Sequence, residues 1–398
     1  MPHRMAVFGV VVTVVMSGVA TFLGWRLISP FRLGSPWNLA AWLLLALLVL
    51  LMPITFWLGR VAEGAGWSYA SQWVAYLAMG LVSFFFAFVV LREVVWGLLR
   101  LWDALGAWSG VLPAALPSDP MVRLAWLARS NLAIFGLSGV LVLGGLIAAL
   151  RGPRIVEISM PVDRLPSAFE GYRIVQLSDV HLSPTIRGTD LGRWVEDANR
   201  LSPDLVVITG DLVDGTVHGL AHEVEPLLLL QVPVVFVTGN HEYYWGPEAW
   251  VAHLRSLGIQ VLLNEHILLH RGDDTLVLAG ITDARAGDFL ADWAPDPERA
   301  LAGAPVGAPR IMLAHQPRSA PSVRAAGADV QISGHTHGGQ YFPWNVLIRW
   351  VEPYVAGLYD VGGMQLYVSR GTGWWGPPLR FGSQAEITLF VLRPSRDR

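Results

Sequence analysis

Leu205-Val206-Val207-Ile208-Thr209-Gly210-Asp211 is a short β-branched run closed by a glycine and a carboxylate. A run of this length bounded by a turn residue reads as a buried strand. Gly210 lets the backbone turn tightly, which leaves Asp211 standing at the strand's end. The same grammar recurs four times. Gln176-Leu177 leads into Ser178-Asp179-Val180-His181, and Val234–Val237 leads into Gly239-Asn240-His241-Glu242. Ile311-Met312-Leu313 precedes Ala314-His315-Gln316, and Val330-Gln331-Ile332 precedes Gly334-His335-Thr336-His337. Side chains at the carboxyl ends of several strands converge on one sheet edge, where open α/β folds place their sites. The set offers oxygen and imidazole ligands and no sulfur, which suits Mn, Fe or Zn.

Around these strings the texture alternates between strand and helix. Tyr172–Leu177, Leu276–Ala279, Leu366–Ser369 and Ile387–Leu392 read as further strands. Leu191–Leu201 and Glu248–Leu257 read as helices, the first with Thr189 or Asp190 as its N-cap. Many strands with few long helices point to two stacked sheets with helices outside.

This texture begins only after Arg151-Gly152-Pro153. The chain has 398 residues, 53% apolar and only 15% charged, too greasy for an ordinary soluble protein. The excess lies in the first 150 residues or so, where four segments approach the roughly 20 apolar residues needed to cross a bilayer. They are about Met5–Trp25, Leu39–Leu58, Trp73–Leu91 and Leu132–Leu150. Met52-Pro53 is expected to kink the second. Trp25, Trp37, Trp57, Trp67 and Trp73 lie near segment ends, as interfacial aromatics do. No interior Asp, Glu, Lys or His falls in these spans, which argues against a transporter. Residues 92–129 form either an interfacial helix or an extension of the third span. Arginines in the loops nearly balance between the two sides, so the charge rule does not orient the protein. A net charge of −3 gives no electrostatic case for nucleic acid, and zero cysteines exclude disulfides and thiolate sites.

The order Asp-x-His, Gly-Asp, Gly-Asn-His-Glu, lone His, Gly-His-Thr-His resembles the calcineurin-like metallophosphoesterases. Gly338-Gly339-Gln340, Ser369-Arg370-Gly371 and Glu386-Ile387-Thr388 make it most similar to that family's membrane-associated bacterial branch, of the UDP-acylglucosamine pyrophosphatase type. The likeness runs from about Arg154 to about Leu392. Outside that likeness, the four apolar segments point to an N-terminal multi-pass α-helical membrane bundle, a four-helix transmembrane region, over residues 1–152. A metallophosphoesterase domain, an α/β/β/α two-sheet sandwich, is implied over 153–398. It implies two divalent ions, Mn or Fe ahead of Zn. Asp179, His181, Asp211 and His337 would hold one ion, and Asp211, Asn240, His315 and His335 the other, with Asp211 bridging. His241 would serve the phosphate rather than a metal, as a proton donor or a charge stabiliser. Arg370 and Arg380 are candidates for gripping phosphate, though a structural ion pair serves either equally well. Glu242 and Asp214 are candidates for steadying ligand histidines. Taken alone, Asp179 and Asn240 read as turn residues and His315 as an ordinary loop histidine; recurrence at five strand ends favours the metal reading.

The implied reaction is hydrolysis of a phosphoester or pyrophosphate, a metal-bound hydroxide attacking phosphorus. The expected partners are the membrane and a phosphoester substrate, a lipid-linked phosphate being one candidate. A broad phosphodiesterase anchored only for localisation is the alternative enzyme. A non-catalytic membrane sensor or scaffold is the alternative of another class. Tyr243, Tyr244, Trp245, Trp344, Trp374 and Trp375 either line an entrance, belong to the core or meet the membrane.

Overall fold

The computed structural model describes residues 2–61 and 66–395. The chain divides into two compact units, Met1–Gly144 and Gly145–Arg398.

The first unit is helical. Its helices are α1 (Pro2–Leu23), α2 (Trp37–Val61), α3 (Gly66–Ser109) and α4 (Pro120–Leu150), the last turns of α4 falling in the second unit. Among the described residues, three stretches are long and apolar enough to cross a membrane: Val11–Phe31, Tyr69–Ser109 and Pro120–Leu150. In α2 the apolar stretch recorded is the shorter Trp37–Leu51. The helix runs through Pro53. Leu43, Leu98 and Val140 are among many apolar side chains left exposed, a surface that water-soluble proteins avoid. Trp57 and Trp67 have side chains outside the described set.

Helix α3 is one continuous helix of 44 residues, so the stretch after Leu91 extends the third span rather than forming a separate helix. The helix therefore carries Arg92, Glu93, Arg100 and Asp103 beyond the expected span Trp73–Leu91, which itself holds no charged residue. Arg92 and Arg26 both pair with Glu93. The charges are tied to a local irregularity. Gly24–Ile28 is a π-helical turn, which leaves carbonyls without their usual donors. The Asn131 amide, fully buried, donates to the carbonyls of Arg26 at 3.0 Å and Leu27 at 2.9 Å. Arg26, Arg92, Glu93 and Asn131 each find a partner, the condition for keeping polar groups among apolar helices.

The second unit stacks two six-stranded sheets. The first has strand order β1 (Arg154–Val162), β12 (Glu386–Pro394), β2 (Arg173–Leu177), β3 (Leu205–Ile208), β4 (Val234–Phe236), β5 (Gln260–Val261). The second runs β10 (Gly357–Val361), β11 (Met364–Val368), β9 (Val330–Ser333), β8 (Arg310–Leu313), β7 (Asp274–Gly280), β6 (Glu265–Arg271). Strands β2 to β5 are mutually parallel, as are β7, β8, β9 and β11, so their carboxyl ends lie on one edge. Side chains alternate across each strand. Leu276 and Leu278 join the core between the sheets with Ile174, Val207 and Phe390. Val277 and Ala279 turn outward, into a cluster with Met312, Val323 and Leu366.

Short helices occupy the connections: α5 (Gly188–Arg200), α6 (Val217–Leu220), α7 (Asn240–Tyr244), α8 (Pro247–Ser256), α9 (Pro297–Leu301), α10 (Ala320–Ala325) and α11 (Trp344–Leu347). Leu191, Trp194, Val195 and Ala198 form the buried stripe of α5. Its start lies earlier than the sequence suggests. Asp190 is not the cap but the third helical residue, and its carboxylate accepts the Arg187 N–H at 2.9 Å.

Candidate metal centre

The five loops that follow β2, β3, β4, β8 and β9 meet at the shared strand edge. They bring together Asp179, His181, Asp211, Asn240, His241, His315, His335 and His337. Two sets of side chains that can hold a metal ion share the edge: Asp179, His181 and His337, and Asp211, His315 and His335. A third set, His181, Asp211 and His241, links them. In the first set the Nε2 atoms of His181 and His337 face each other at 3.0 Å, and His337 Nε2 lies 3.6 Å from Asp179 Oδ1. In the second, His315 Nε2 lies 3.2 Å from Asp211 Oδ2, 3.2 Å from Asn240 Oδ1 and 3.2 Å from His335 Nδ1. Asp211 Oδ2 is also 3.8 Å from His181 Nε2. One carboxylate oxygen thus stands between the two sets.

The backbone is bent to make this possible. Asp179, His181, Asp211, His335 and His337 all have φ between 51° and 75°. This left-handed region costs a non-glycine residue about 1–3 kcal/mol, and such strain gathers at functional sites. Two glycines allow the loops to close. A Cβ on Gly334 would lie 2.2 Å from Asp179 Oδ2, and one on Gly239 would lie 2.2 Å from Asp211 Oδ1.

Hydrogen bonds then fix which nitrogen faces inward. His315 Nδ1 lies 2.8 Å from the Thr209 carbonyl, so Nδ1–H donates and Nε2 is turned toward Asp211 and Asn240. Asp214 Oδ1 does the same for two rings, at 3.2 Å from His181 Nδ1 and 2.5 Å from His241 Nδ1. Thr209 Oγ1 donates to Ser178 Oγ at 2.7 Å, and Ser178 Oγ donates to Asp179 Oδ2 at 2.6 Å. Glu242 braces backbone rather than a histidine: its carboxylate accepts from the N–H groups of Gly239, Asp211 and Leu212 at 2.6, 3.1 and 2.8 Å. Orphan amides are thereby paired and two ligand loops are tied together.

Charge is distributed unevenly. Burial alone would neutralise these groups; partners decide otherwise. Burial opposes a charge on His241, but Asp211 and Asp214 outweigh it and push the ring up to about 9. Asp214 is held well below the usual carboxylate range: burial is outweighed by His241 and then His181. Burial, then the neighbouring His315, depress His335 to about 3. His337 is also held below its ordinary value by burial and by the Arg380 guanidinium. Imidazole nitrogens turned inward, carboxylates and an amide oxygen form a donor set that fits divalent ions of the Mn, Fe or Zn kind.

The two arginines differ. Arg380 is fully buried; it donates to the carbonyls of His337 and Arg370 at 3.1 and 2.8 Å, and its Nη2 lies 3.1 Å from His337 Nδ1. Arg370 is partly exposed and pairs with the buried Glu386 at 3.1 Å. The loop aromatics separate as well. Tyr243 and Trp374 are buried, whereas Tyr244 and Trp375 are half-exposed with ring centroids 5.2 and 5.8 Å from that of His241. Two further parts were not foreseen. Gln176 Nε2 donates to Thr209 Oγ1 and to the Ser333 carbonyl, joining the sheets beneath the site. Gln316, beside His315, donates to both oxygens of buried Asp283 at 3.1 and 2.9 Å. The position of Gln316 directly after a ligand candidate was the one available signal.

Residues 172–339 match the family model for calcineurin-like phosphoesterase. A transmembrane protein with metallophosphoesterase domain from Danio rerio is 40% identical over 67% of this chain and 63% of its own length. An uncharacterised metallophosphoesterase from Aquifex aeolicus is 30% identical over 60% of this chain and 92% of its own length. A solved dimetal phosphatase from Danio rerio is 13% identical, over 56% of this chain and 99% of that one, with a TM-score of 0.32. This chain belongs to the calcineurin-like metallophosphoesterases. It spans under two thirds of the length of the Danio rerio transmembrane relative.

Proposed function

We propose that this chain is a membrane-anchored phosphoester hydrolase that works with two divalent ions. Asp179, His181, Asp211 and His337 would hold one, and Asp211, Asn240, His315 and His335 the other. The observation that carries this reading is the position of Asp211 Oδ2, 3.2 Å from a nitrogen of one set and 3.8 Å from a nitrogen of the other. Bound divalent ions supply Lewis acidity toward phosphoryl oxygens and make a nucleophile from water at neutral pH.

The chain's own groups do the rest. Asp211 keeps the two ligand sets together; its Oδ1 is pinned by the His241 N–H at 2.9 Å. His241 gives its Nδ1–H to Asp214, which directs Nε2 into the site. Asp211 and Asp214 favour its protonated form, so it can hand a proton to a leaving alkoxide. Tyr244 and Trp375 flank that ring and limit water on its outer side. Of the arginines, we assign contact with substrate to Arg370, and to buried Arg380 the positioning of His337.

Seven filled ligand positions weigh against a non-catalytic scaffold. The apolar helices and the transmembrane relative support anchoring. A phosphodiester or pyrophosphate carrying a lipid is the substrate class that gives the anchor a chemical purpose. The test is hydrolysis by the purified full-length chain, with and without chelator, of a soluble nitrophenyl phosphodiester and of lipid phosphates in mixed micelles. Metal-dependent cleavage with preference for the lipid supports the reading. Equal rates on both would favour a broad phosphodiesterase anchored for localisation. No cleavage of either by metal-loaded protein would overturn the enzyme assignment.

A further inference from the structure

Beneath the metal centre a line of polar side chains runs from one sheet toward a ligand candidate. Gln176 lies on β2, Ser178 just after it, Thr209 just after β3, and Ser333 at the end of β9. All four are buried, as is Asp179. The direction of the bonds among them follows from one atom that can only accept. Gln176 Nε2 lies 3.0 Å from the Ser333 carbonyl, so the amide presents its NH₂ end there. The same nitrogen lies 2.7 Å from Thr209 Oγ1, and an amide nitrogen only donates, so that hydroxyl is the acceptor. Thr209 passes its own hydrogen on, to Ser178 Oγ at 2.7 Å. Ser178 in turn gives its hydrogen to Asp179 Oδ2 at 2.6 Å. Three bonds thus point one way, and in a buried setting each such bond polarises the next.

The last bond distinguishes the two oxygens of Asp179. The His335 N–H does not, being shared between Oδ1 at 2.9 Å and Oδ2 at 3.1 Å. The Ser178 hydroxyl engages Oδ2 alone, which leaves Oδ1 beside the first ligand set, 3.6 Å from His337 Nε2. Ser178 is itself held at both ends of its backbone: its N–H donates to Thr372 Oγ1 at 3.2 Å, and its carbonyl accepts the Thr372 N–H at 2.7 Å. Thr209 also reaches the second ligand set, but through a different atom. Its carbonyl accepts the His315 Nδ1–H at 2.8 Å. The hydroxyl of Thr209 therefore serves one set and its carbonyl the other, and a substitution that removes only the hydroxyl separates them.

We propose that Gln176, Thr209 and Ser178 form a one-way hydrogen-bond chain that fixes Asp179 for the first metal ion, which makes the Thr209 hydroxyl a positioning group for that ion and not for the second. This rests on the two-ion reading above. Because Gln176 bonds to β9 across the sheets, the chain also ties the carboxylate to the frame of both sheets rather than to its own loop alone.

Thr209→Val removes the hydroxyl while keeping the branched shape and the carbonyl; Thr209→Ser keeps the hydroxyl. Each is placed in two full-length backgrounds, His335→Ala, which retains the first ligand set, and His181→Ala, which retains the second. The metal-stripped chains in detergent are titrated with Mn(II) against a fluorescent chelator, which gives Kd without any turnover. In the His335→Ala background Thr209→Val should raise Kd by roughly 10-fold or more, the scale for losing a group that orients a metal ligand, and Thr209→Ser should not. In the His181→Ala background both should bind as their parent does. Unchanged binding in the first background, equal weakening in the two backgrounds, or equal losses with valine and serine would each overturn the proposal, the last two by reducing Thr209 to packing. Should Thr209→Val fail to fold, Ser178→Ala breaks the same chain one bond nearer Asp179 and is judged by the same contrast between backgrounds. If the two parent chains do not each bind one Mn(II), the two-ion reading itself fails, a result distinct from these.

Discussion

Gly239→Ala probes the shared carboxylate without altering any ligand. The backbone at Gly239 has φ −97°, which alanine adopts freely, so conformational preference contributes little. Only the new methyl group matters. Its carbon would sit 2.2 Å from Asp211 Oδ1 and 2.4 Å from the Asp211 backbone nitrogen. Comfortable contact needs about 3.5 Å, so the Asp211 loop must give by roughly 1 Å. The backbone atom cannot swing aside as a side-chain end could. Overpacking of this kind costs about 1–3 kcal/mol of stability, and a displacement of about 1 Å at a reacting centre costs on the order of 10²-fold in rate. We expect the variant to fold with a lowered Tm, to bind both ions more weakly and to lose about 10²-fold in kcat/KM. Gly192→Ala is the matched control. It lies in α5 with the nearest atom 3.9 Å from the new carbon, and should be neutral or stabilising by up to about 1 kcal/mol. Elemental analysis, thermal unfolding and nitrophenyl phosphodiester kinetics read all three quantities. Full metal content and full rate in Gly239→Ala would refute the claim that the position of Asp211 governs the centre.

His241→Ala should keep both ions yet lower kcat by roughly 10²–10⁴-fold, with a smaller loss for nitrophenyl leaving groups that need no proton; equal losses would indicate positioning instead. For the metal-stripped protein, the His241–Asp214 pair has a definite pH window. His241, raised from 6.5 to about 9, stabilises fully below 6.5, and that contribution is lost as pH rises through about 9. Asp214, lowered from 3.8, stabilises above that value and loses its contribution as pH falls. The elevation of His241 corresponds to about 3 kcal/mol, shared between Asp211 and Asp214. Asp214→Asn should therefore cost the stripped protein roughly 1–2 kcal/mol at pH 7, a gap from wild type that closes above about pH 9; denaturant melts across pH measure it. Proteins truncated to begin near Arg154 should fold and retain metal, since the cores between and outside the sheets draw only on later residues; loss of metal on truncation would mean that the helices complete the site.

The metal centre was legible because its chemistry repeats. Asp211, His315 and His335 each follow a buried apolar strand, and that register alone places them on a common edge. Less visible were strands without a β-branched run. The β6 strand, Glu265–Arg271, mixes charged and histidine residues with leucines because it is an edge strand with one wet face. The length of α3 was hidden by Arg92 and Glu93, which read as the end of a span until their partners Arg26 and Asn131, far away in sequence, are seen. Burial of Arg380 was equally opaque, because an arginine is rarely enclosed and its four acceptor atoms come from three residues, His337, Arg370 and Gly373, in two loops. Left-handed backbone at five ligand candidates leaves no mark in the sequence, since none of the five is glycine.

The central claim is that one carboxylate, Asp211, joins two metal sites. Elemental analysis of the purified full-length chain beside Asp211→Asn and His181→Asn tests it most directly. Two ions per wild-type chain are predicted, with both weakened by Asp211→Asn and chiefly one weakened by His181→Asn. A wild-type chain that binds a single ion, or an Asp211→Asn variant that keeps two tightly bound ions and full activity, would contradict it.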